Sequence, residues 1–138
     1  MRGMTYIGAR SRQFFFALSF LLVLIPFSSR SQNSNLELSN VAKSFDANKT
    51  WKWIAFITAP PEILQKIKCV QYTLHPTFPD PVERVCSTSN TKYPFGLYAT
   101  GWGTFNLRAN VEFGDGSQKE LQHVLDFSDA AAAQFEDH

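Results

Sequence analysis

Residues 105–113 read FNLRANVEF, and this stretch decides the fold. Apolar and polar side chains alternate strictly over nine residues, which is typical of a β-strand with one buried face and one wet face. A sheet with one wet face is usually antiparallel. The side chains predicted to face the core are Phe105, Leu107, Ala109, Val111 and Phe113.

The segments around this strand carry similar signals. Gly114-Asp115-Gly116-Ser117 is a hairpin turn signal, and residues 119–127 form the returning strand. Residues 62–66 predict one helical turn. Several short strands separated by turns indicate an all-β antiparallel sandwich. The other predicted strands cover residues 41–45, 51–58, 67–74, 82–86 and 95–100.

The strand at 51–58 differs from the others because both of its faces are largely apolar. Strands of this kind are buried on both sides. We therefore expect its second face to be buried within the sandwich or covered by the N-terminal segment.

The N-terminal segment has the composition of a secretory signal. Residues 1–12 are basic, residues 14–27 form an apolar run of 14 residues, and small residues follow at Ser28, Ser29 and Ser31. A spanning helix needs about 20 apolar residues, so the sequence favours a cleaved signal over an uncleaved anchor. Export to the periplasm or the exterior follows from this prediction, with membrane association only if the segment is retained.

The chain therefore divides into four predicted parts. Residues 1–31 are the signal peptide, and residues 32–50 are a flexible lead-in with a candidate first strand. Residues 51–128 are the sandwich, and residues 129–138 are a short tail. The 138 residues suffice for one domain and not for two.

Charge is unevenly distributed along the chain. The net charge is +1, but residues 1–31 hold four arginines and no carboxylate. The remainder keeps nine of the 13 basic residues against all 12 acidic ones, a net charge of −3. A mildly acidic domain lacks the clustered cations that bind phosphate, so the composition argues against nucleic acid as a partner.

Cys69 and Cys86 are the two cysteines, and both follow the signal segment. Export implies an oxidising compartment, and the two residues lie on predicted strands that flank one loop, so they are predicted to form a disulfide. The bond would close a loop of about 17 residues, worth about 3 kcal/mol in the chain-entropy model. Two unpaired strand cysteines remain the alternative.

Two loops between predicted strands hold aromatic residues where a core residue is not expected. The first contains His75, Thr77 and Phe78 between three prolines, which stiffen it. The second is Gly101-Trp102-Gly103, whose glycines open backbone conformations closed to other residues. Recognition sites on β scaffolds are commonly built from such loops.

These motifs resemble the YEATS domain, in particular its prokaryotic branch. Leu-His-x-x-Phe-Pro at residues 74–79 and Gly-aromatic-x-x-Phe at residues 101–105 carry the resemblance, which covers roughly residues 53–127. It implies an immunoglobulin-like antiparallel β-sandwich that binds an acylated lysine. Eukaryotic members of the family are chromatin proteins, but the composition gives no support for a chromatin role here.

The resemblance also implies roles for individual residues. Phe78 and Trp102 would sandwich the flat acyl-amide, while the Thr77 hydroxyl and the Trp102 backbone N–H would bind its carbonyl. His75 would support the wall of the pocket, and Phe105 would close its base. The ligand-binding set is His75, Thr77, Phe78, Gly101, Trp102, Gly103 and Phe105.

Two observations weigh against a simple transfer of the family's function. Lys49 falls about where members that read histones have an aromatic residue. In addition, Phe78 and Trp102 could plug the end of the sandwich, in which case the chain would be a structural interaction module without a pocket.

Catalytic and metal-binding motifs are missing from the sequence. The three histidines have no His-x-His or His-Glu-x-x-His spacing, and there is no nucleophile elbow or phosphate loop. The sequence thus predicts a binding module rather than an enzyme, with no cofactor and no metal. Its predicted partner is an acylated lysine, or a similar amide-bearing side chain, on a protein or a cell-wall polymer.

Overall fold

Seven antiparallel strands and two short helices make up the part of the chain that the computed structural model describes, residues 35–47 and 49–135. The predicted signal peptide and the last three residues of the tail lie outside this part. The elements are β1 Glu37–Ser44, β2 Trp51–Thr58, α1 Pro61–Leu64, β3 Ile67–Thr73, β4 Val82–Val85, β5 Leu97–Gly101, β6 Asn106–Phe113, β7 Gln118–Val124 and α2 Asp129–Ala133.

The strands form two sheets with the core between them. The three-stranded sheet has the order β1-β2-β5, and the four-stranded sheet has the order β4-β3-β6-β7. Every pairing is antiparallel. This arrangement is the predicted sandwich, and the expected all-β fold class is confirmed.

Strand β6 lies inside the four-stranded sheet, between β3 and β7. Leu107, Ala109 and Val111 are fully buried, whereas Arg108 is exposed. Phe105 and Phe113, at the two ends of the run, are half-buried and pack against the core. The strict alternation therefore predicted the register of this strand correctly.

The buried phenol of Tyr72 links β3 to the segment just before β5 by a hydrogen bond. Tyr72 of β3 donates a hydrogen bond of 2.6 Å to the carbonyl oxygen of Phe95. Burial raises the pKa of the Tyr72 phenol well above its usual range. Phe95 itself has a φ of 54°, a left-handed conformation that a strand cannot contain, so β5 begins at Leu97 and not at residue 95 as predicted.

The outer face of β2 is covered by segments that sequence patterning did not identify. Ile54 is buried there in a small cluster with Val41 and Tyr93, and Phe135 from the C-terminal segment packs on it. The Tyr93 hydroxyl also donates to the carbonyl oxygen of Gln134 at 2.7 Å. Within the described residues, Tyr93, and Phe135 of the C-terminal segment, cover this face.

Strand β1 begins at Glu37, four residues before the predicted start at Val41. Its buried polar residue, Asn40, interrupts the apolar pattern that the prediction relied on. The Asn40 amide holds the backbone of Asp126 by two hydrogen bonds of 2.8 Å, one to its carbonyl oxygen and one from its N–H. His123 Nε2 lies 2.8 Å from the same amide oxygen. The lead-in is therefore part of the sandwich from Glu37 onward.

The predicted disulfide between Cys69 and Cys86 is confirmed. The two Cα atoms lie 4.1 Å apart, and the bond closes a loop with a sequence separation of 17. Because β3 and β4 are hydrogen-bonded neighbours, it crosslinks the hairpin whose turn is the proline-rich loop. No helix of the described residues is long and apolar enough to cross a membrane.

Candidate functional site

Three connections meet at one end of the sandwich. Residues 45–50 join β1 to β2, and Trp51 at the start of β2 pairs with Gly101 at the end of β5. Residues 102–105 therefore leave the sheet at the same end as the 45–50 turn. From the other sheet, residues 74–81 join β3 to β4.

A cleft of about 270 Å³ lies between the segment that follows β5 and the loop at residues 74–81. It brings together the whole ligand-binding set predicted from sequence. Three further lining residues were not predicted. Each is adjacent in sequence to a predicted residue, and this adjacency was the signal that could have identified them. The lining residues are His75, Thr77, Phe78, Pro79, Thr100, Gly101, Trp102, Gly103, Thr104 and Phe105.

The loop at residues 74–81, here called the proline loop, is closed by its own backbone. The N–H of Leu74 donates to the carbonyl oxygen of Pro81 at 2.8 Å, so the loop begins and ends at a bonded pair. Inside it, the N–H of Phe78 donates to the carbonyl oxygen of His75 at 3.0 Å. This turn directs the Phe78 side chain toward the core side of the cleft.

Phe78 is half-buried in an aromatic group. Its ring meets the Trp53 indole edge to face at 6.3 Å and lies 5.7 Å from the Phe105 ring. Phe105 also lies 6.1 Å from Trp53 and 6.0 Å from the His75 ring. Such contacts contribute beyond the area that they bury, so the Phe78 wall and the Phe105 base are fixed by packing.

Trp102 also lines the cleft and is held very differently. Its side chain is 80% exposed, and it makes no ring contact with another aromatic residue of the described chain. A tryptophan that plugged the end of the core would be largely buried. The exposure of Trp102 therefore argues against the plug alternative.

His75 and Thr77 form a small hydrogen-bonded unit at the rim. Thr77 N–H donates to His75 Nδ1 at 3.3 Å, and the Thr77 hydroxyl oxygen lies 2.9 Å from the same nitrogen. In the tautomer whose Nδ1 is unprotonated, this nitrogen accepts the backbone N–H, and the Thr77 hydroxyl hydrogen points toward it. The lone pairs of the Thr77 oxygen are then left for a group in the cleft.

A buried donor lies next to Gly101 of the cleft lining. Trp53 is 1% exposed, and its indole Nε1 has no hydrogen-bond acceptor among the described residues. A Cβ atom added to Gly101 would lie 3.6 Å from this nitrogen and 3.6 Å from Phe78 Cζ. The missing side chain at Gly101 therefore keeps the inner end of the cleft open.

The lining residues include no lysine, arginine, aspartate or glutamate. His75 has Thr77 as its side-chain partner, and no carboxylate lines the cleft beside it. In the described residues no group of three or more His, Cys, Asp or Glu side chains is placed to hold a metal ion. The cleft is thus suited to binding a neutral group by stacking and hydrogen bonding.

His123 lies outside the cleft and has a structural partner. Burial lowers the pKa of its imidazole, and the nearby Asp126 carboxylate partly opposes this shift. Its contact with Asn40 belongs to the junction between β1 and the end of β7.

The two sheets thus form a β-sandwich of immunoglobulin-like architecture whose end loops line an aromatic cleft. The chain belongs to the prokaryotic YEATS domain family, whose model matches residues 51–126.

Curated relatives come from yeasts. The chain is 33% identical over 84 residues to Protein AF-9 homolog of Kluyveromyces lactis, which covers 59% of this chain and 36% of that protein. It is 39% identical over 74 residues to Something about silencing protein 5 of Saccharomyces cerevisiae, covering 53% of this chain and 27% of that protein. The chain thus spans roughly a third of the length of the curated relatives it matches.

Solved structures of YEATS domains share the fold. The crystal structure of the yeast AF-9 homolog Yaf9 superposes with a TM-score of 0.58 at 29% identity, covering 69% of this chain and 68% of that one. The Yaf9 YEATS domain bound to H3K27ac gives 0.55 at 27% identity, covering 69% and 75%. The same domain recognizing an H3K122suc peptide gives 0.56 at 30% identity, covering 68% and 71%. Two of these neighbours are thus complexes with acylated histone lysine, H3K27ac and H3K122suc.

Proposed function

We propose that this chain is a binding module that recognises an acylated amine, in particular an acyl-lysine, in the cleft between Phe78 and Trp102. The observation that carries the proposal is that both aromatic side chains line one cleft whose lining includes no lysine, arginine or carboxylate. A planar amide is neutral and stacks well against aromatic faces, so its shape and charge match this site.

Hydrogen bonds would orient the amide in the cleft. The backbone N–H of Trp102 donates to the acyl carbonyl oxygen. In the tautomer with an unprotonated His75 Nδ1, the Thr77 oxygen accepts from the amide N–H, because its own hydrogen is directed to that nitrogen. In this proposal Thr77 therefore binds the amide nitrogen, whereas the family resemblance implies the carbonyl. A desolvated amide needs both partners, since an unsatisfied buried polar group costs about 1–3 kcal/mol.

Selection against unmodified lysine would follow from the same lining. An ammonium group in this cleft would lose water and meet no carboxylate among the lining residues. Stacking of a cation over the exposed Trp102 ring would contribute only about 0.5–1 kcal/mol to binding. Acylation removes the charge, so the modified side chain enters without that cost.

We further propose that the module acts outside the cytoplasm, in the periplasm or as a secreted protein. The signal-like N-terminal segment and the disulfide between Cys69 and Cys86 support this location, since disulfides persist in oxidising compartments. The acylated amine would then belong to an envelope protein or to an amide-bearing side chain of a cell-wall polymer. Intact-mass measurement of the exported protein tests the signal, and a mass that retains residues 1–27 would exclude cleavage.

The binding proposal is tested with matched peptides. Fluorescence polarisation would compare one peptide sequence with acetyl-lysine, crotonyl-lysine and unmodified lysine at the same position. We expect the two acylated forms to bind and the unmodified form to bind at least about tenfold more weakly, which is 1.4 kcal/mol. Equal binding of all three would contradict the proposal and favour the structural interaction module.

A further inference from the structure

A second exposed surface adjoins the cleft on the outer side of the three-stranded sheet. On β2, Trp53 and Ala55 are buried in the core. Lys52 and Ile54 alternate with them along the strand and therefore point outward. The strand pairs Lys52–Thr100 and Ile54–Tyr98 place the corresponding residues of β5 on the same side. The next step of the β5 alternation, past its end at Gly101, leads to Trp102.

Aromatic side chains are concentrated on this surface. Tyr98 is 54% exposed, Trp102 is 80% exposed, and Phe45 at the end of β1 is 55% exposed. The Lys52 ammonium lies 5.8 Å from the centre of the Phe45 ring, which places Phe45 on the same side of the sheet. We call this surface the aromatic–lysine face and define it by Phe45, Lys52, Tyr98, Thr100 and Trp102.

The charge of this region is opposite to that of the whole domain. Residues 32–138 have a net charge of −3, yet the exposed Lys49 and Lys52 make no ion pair with a described carboxylate. The acidic residue of the neighbouring turn, Asp46, is turned toward Thr50, whose hydroxyl donates to it at 2.6 Å. Glu37, at the far end of β1, lies six residues from the Lys52 level, or about 20 Å along the strand.

The face is continuous with the cleft, since Thr100 and Trp102 belong to both. Lys52 pairs with Thr100, two residues before Trp102, so it lies about 7 Å along the sheet and about 5 Å across it from the cleft wall. An extended peptide advances about 3.3 Å per residue. A residue two or three positions from the acylated lysine would therefore reach Lys52.

We propose that the aromatic–lysine face binds the polypeptide that flanks the acylated lysine, and that this polypeptide carries acidic residues two or three positions away. This rests on the proposed function of the cleft. Lys52 supplies the charge complementarity, and Phe45 and Tyr98 supply apolar contact beside it. Charge of this kind favours the right partner mainly by excluding segments of like charge, so a basic flank is disfavoured at the same positions.

The test uses four fluorescent peptides of otherwise identical sequence. Their central lysine is acetylated or free, and positions two and three residues away on both sides are either glutamate or lysine. We expect the acetylated acidic peptide to bind roughly fivefold more tightly than the acetylated basic one, because Lys52 attracts a glutamate flank and repels a lysine flank. The preference should shrink when the salt concentration is raised from about 0.05 to 0.5 M, because exposed charges are screened.

Two charge-reversal variants separate the local effect from net charge. Lys52→Glu should abolish or invert the preference for acidic flanks. Lys119→Glu makes the same change in net charge on β7 of the other sheet and should leave the preference unchanged. Thermal melts of both variants check that the fold is retained.

The outcomes distinguish this inference from the proposed function. Acetyl-dependent binding with equal affinity for both flanks, or an equal loss with Lys119→Glu, would overturn the aromatic–lysine face alone. An acidic preference without any effect of acetylation would overturn the cleft proposal and keep the face as a binder of acidic segments. No binding of any peptide would overturn both.

Discussion

The two walls of the cleft are built on opposite principles. The proline loop holds Phe78 in an aromatic group with Trp53 and Phe105, closes on itself from Leu74 to Pro81, and lies at the turn of a disulfide-linked hairpin. The loop at residues 102–105, here called the glycine loop, presents a Trp102 that is 80% exposed. The Phe78 wall is thus packed against the core, whereas the Trp102 wall is exposed on the surface.

This difference teaches that stability and recognition are separable in the molecule. Residues of the proline loop contribute to both, because their packing extends the core. Trp102 contributes mainly to recognition, because its side chain loses little contact with water on folding. Such a division allows the ligand contact of the glycine loop to change with little effect on the fold.

The largest expected effect comes from removing the exposed wall. Trp102→Ala should abolish binding of the acetyl-lysine peptide, at least about a twentyfold loss, because the amide loses one stacking surface. The free energy of unfolding should change by no more than about 0.5 kcal/mol, as for other exposed substitutions. Peptide titration and urea denaturation measure the two quantities.

Phe78→Ala is the matched comparison for that variant. It should also remove binding, but it should destabilise the domain by about 1–3 kcal/mol, since Phe78 is half-buried against Trp53 and Phe105. Similar stability losses in both variants would show that the two walls do not differ in the way described.

The next largest effect concerns the brace behind the proline loop. The double variant Cys69→Ala with Cys86→Ala should lose about 3 kcal/mol of stability, because the bond closes a loop with a sequence separation of 17. Hydrogen exchange should rise more at residues 74–81 than at 102–105. Reduction of the native protein with dithiothreitol is the control for lost side-chain packing, and an equal rise in both loops would contradict the contrast.

Most of the sandwich could be predicted from its local patterns. The nine-residue alternation of β6 determined its register, because a shift by one residue would have buried Arg108 and exposed Leu107. The cleft residues could be predicted because Phe78 and Trp102 interrupt loops in which a core residue is unexpected. Both features are local, so the chain alone displays them.

The missed features depend on contacts between distant parts of the chain. The early start of β1 is hidden because its inward residue Asn40 is polar, and its partner Asp126 is 86 residues away. The cover of the outer β2 face by Phe135 is equally distant in sequence. The left-handed φ of Phe95 ends a pattern that otherwise resembles a strand. Periodicity cannot reveal such pairings, because each is determined only when the sheets pack.

A smaller effect tests the hydrogen bond assigned to the proline loop. Thr77→Val keeps the shape of the side chain but removes the oxygen proposed to accept from the ligand amide. Binding should weaken about fivefold, or about 1 kcal/mol, with stability nearly unchanged because Thr77 is exposed. Thr91→Val changes an exposed threonine outside the cleft and serves as the control. Unchanged affinity in the Thr77 variant would remove this residue from the site.

The smallest effect on binding is expected from a substitution at Gly101, at the inner end of the cleft. Gly101→Ala places a methyl group 3.6 Å from Phe78 Cζ and 3.6 Å from Trp53 Nε1, which is ordinary van der Waals contact. The fold should therefore tolerate it, with a melting temperature within about 2 °C of the parent. The methyl group nevertheless occupies the inner end of the cleft, so longer acyl chains should lose more affinity than acetyl. We expect roughly a twofold loss for acetyl-lysine and roughly fivefold for crotonyl-lysine by peptide titration, about 0.4 and 1 kcal/mol. Equal losses of affinity for acetyl-lysine and crotonyl-lysine would mean that the acyl chain does not extend toward Gly101. The contact of Gly101 with Phe78 and Trp53 would then lie away from the ligand.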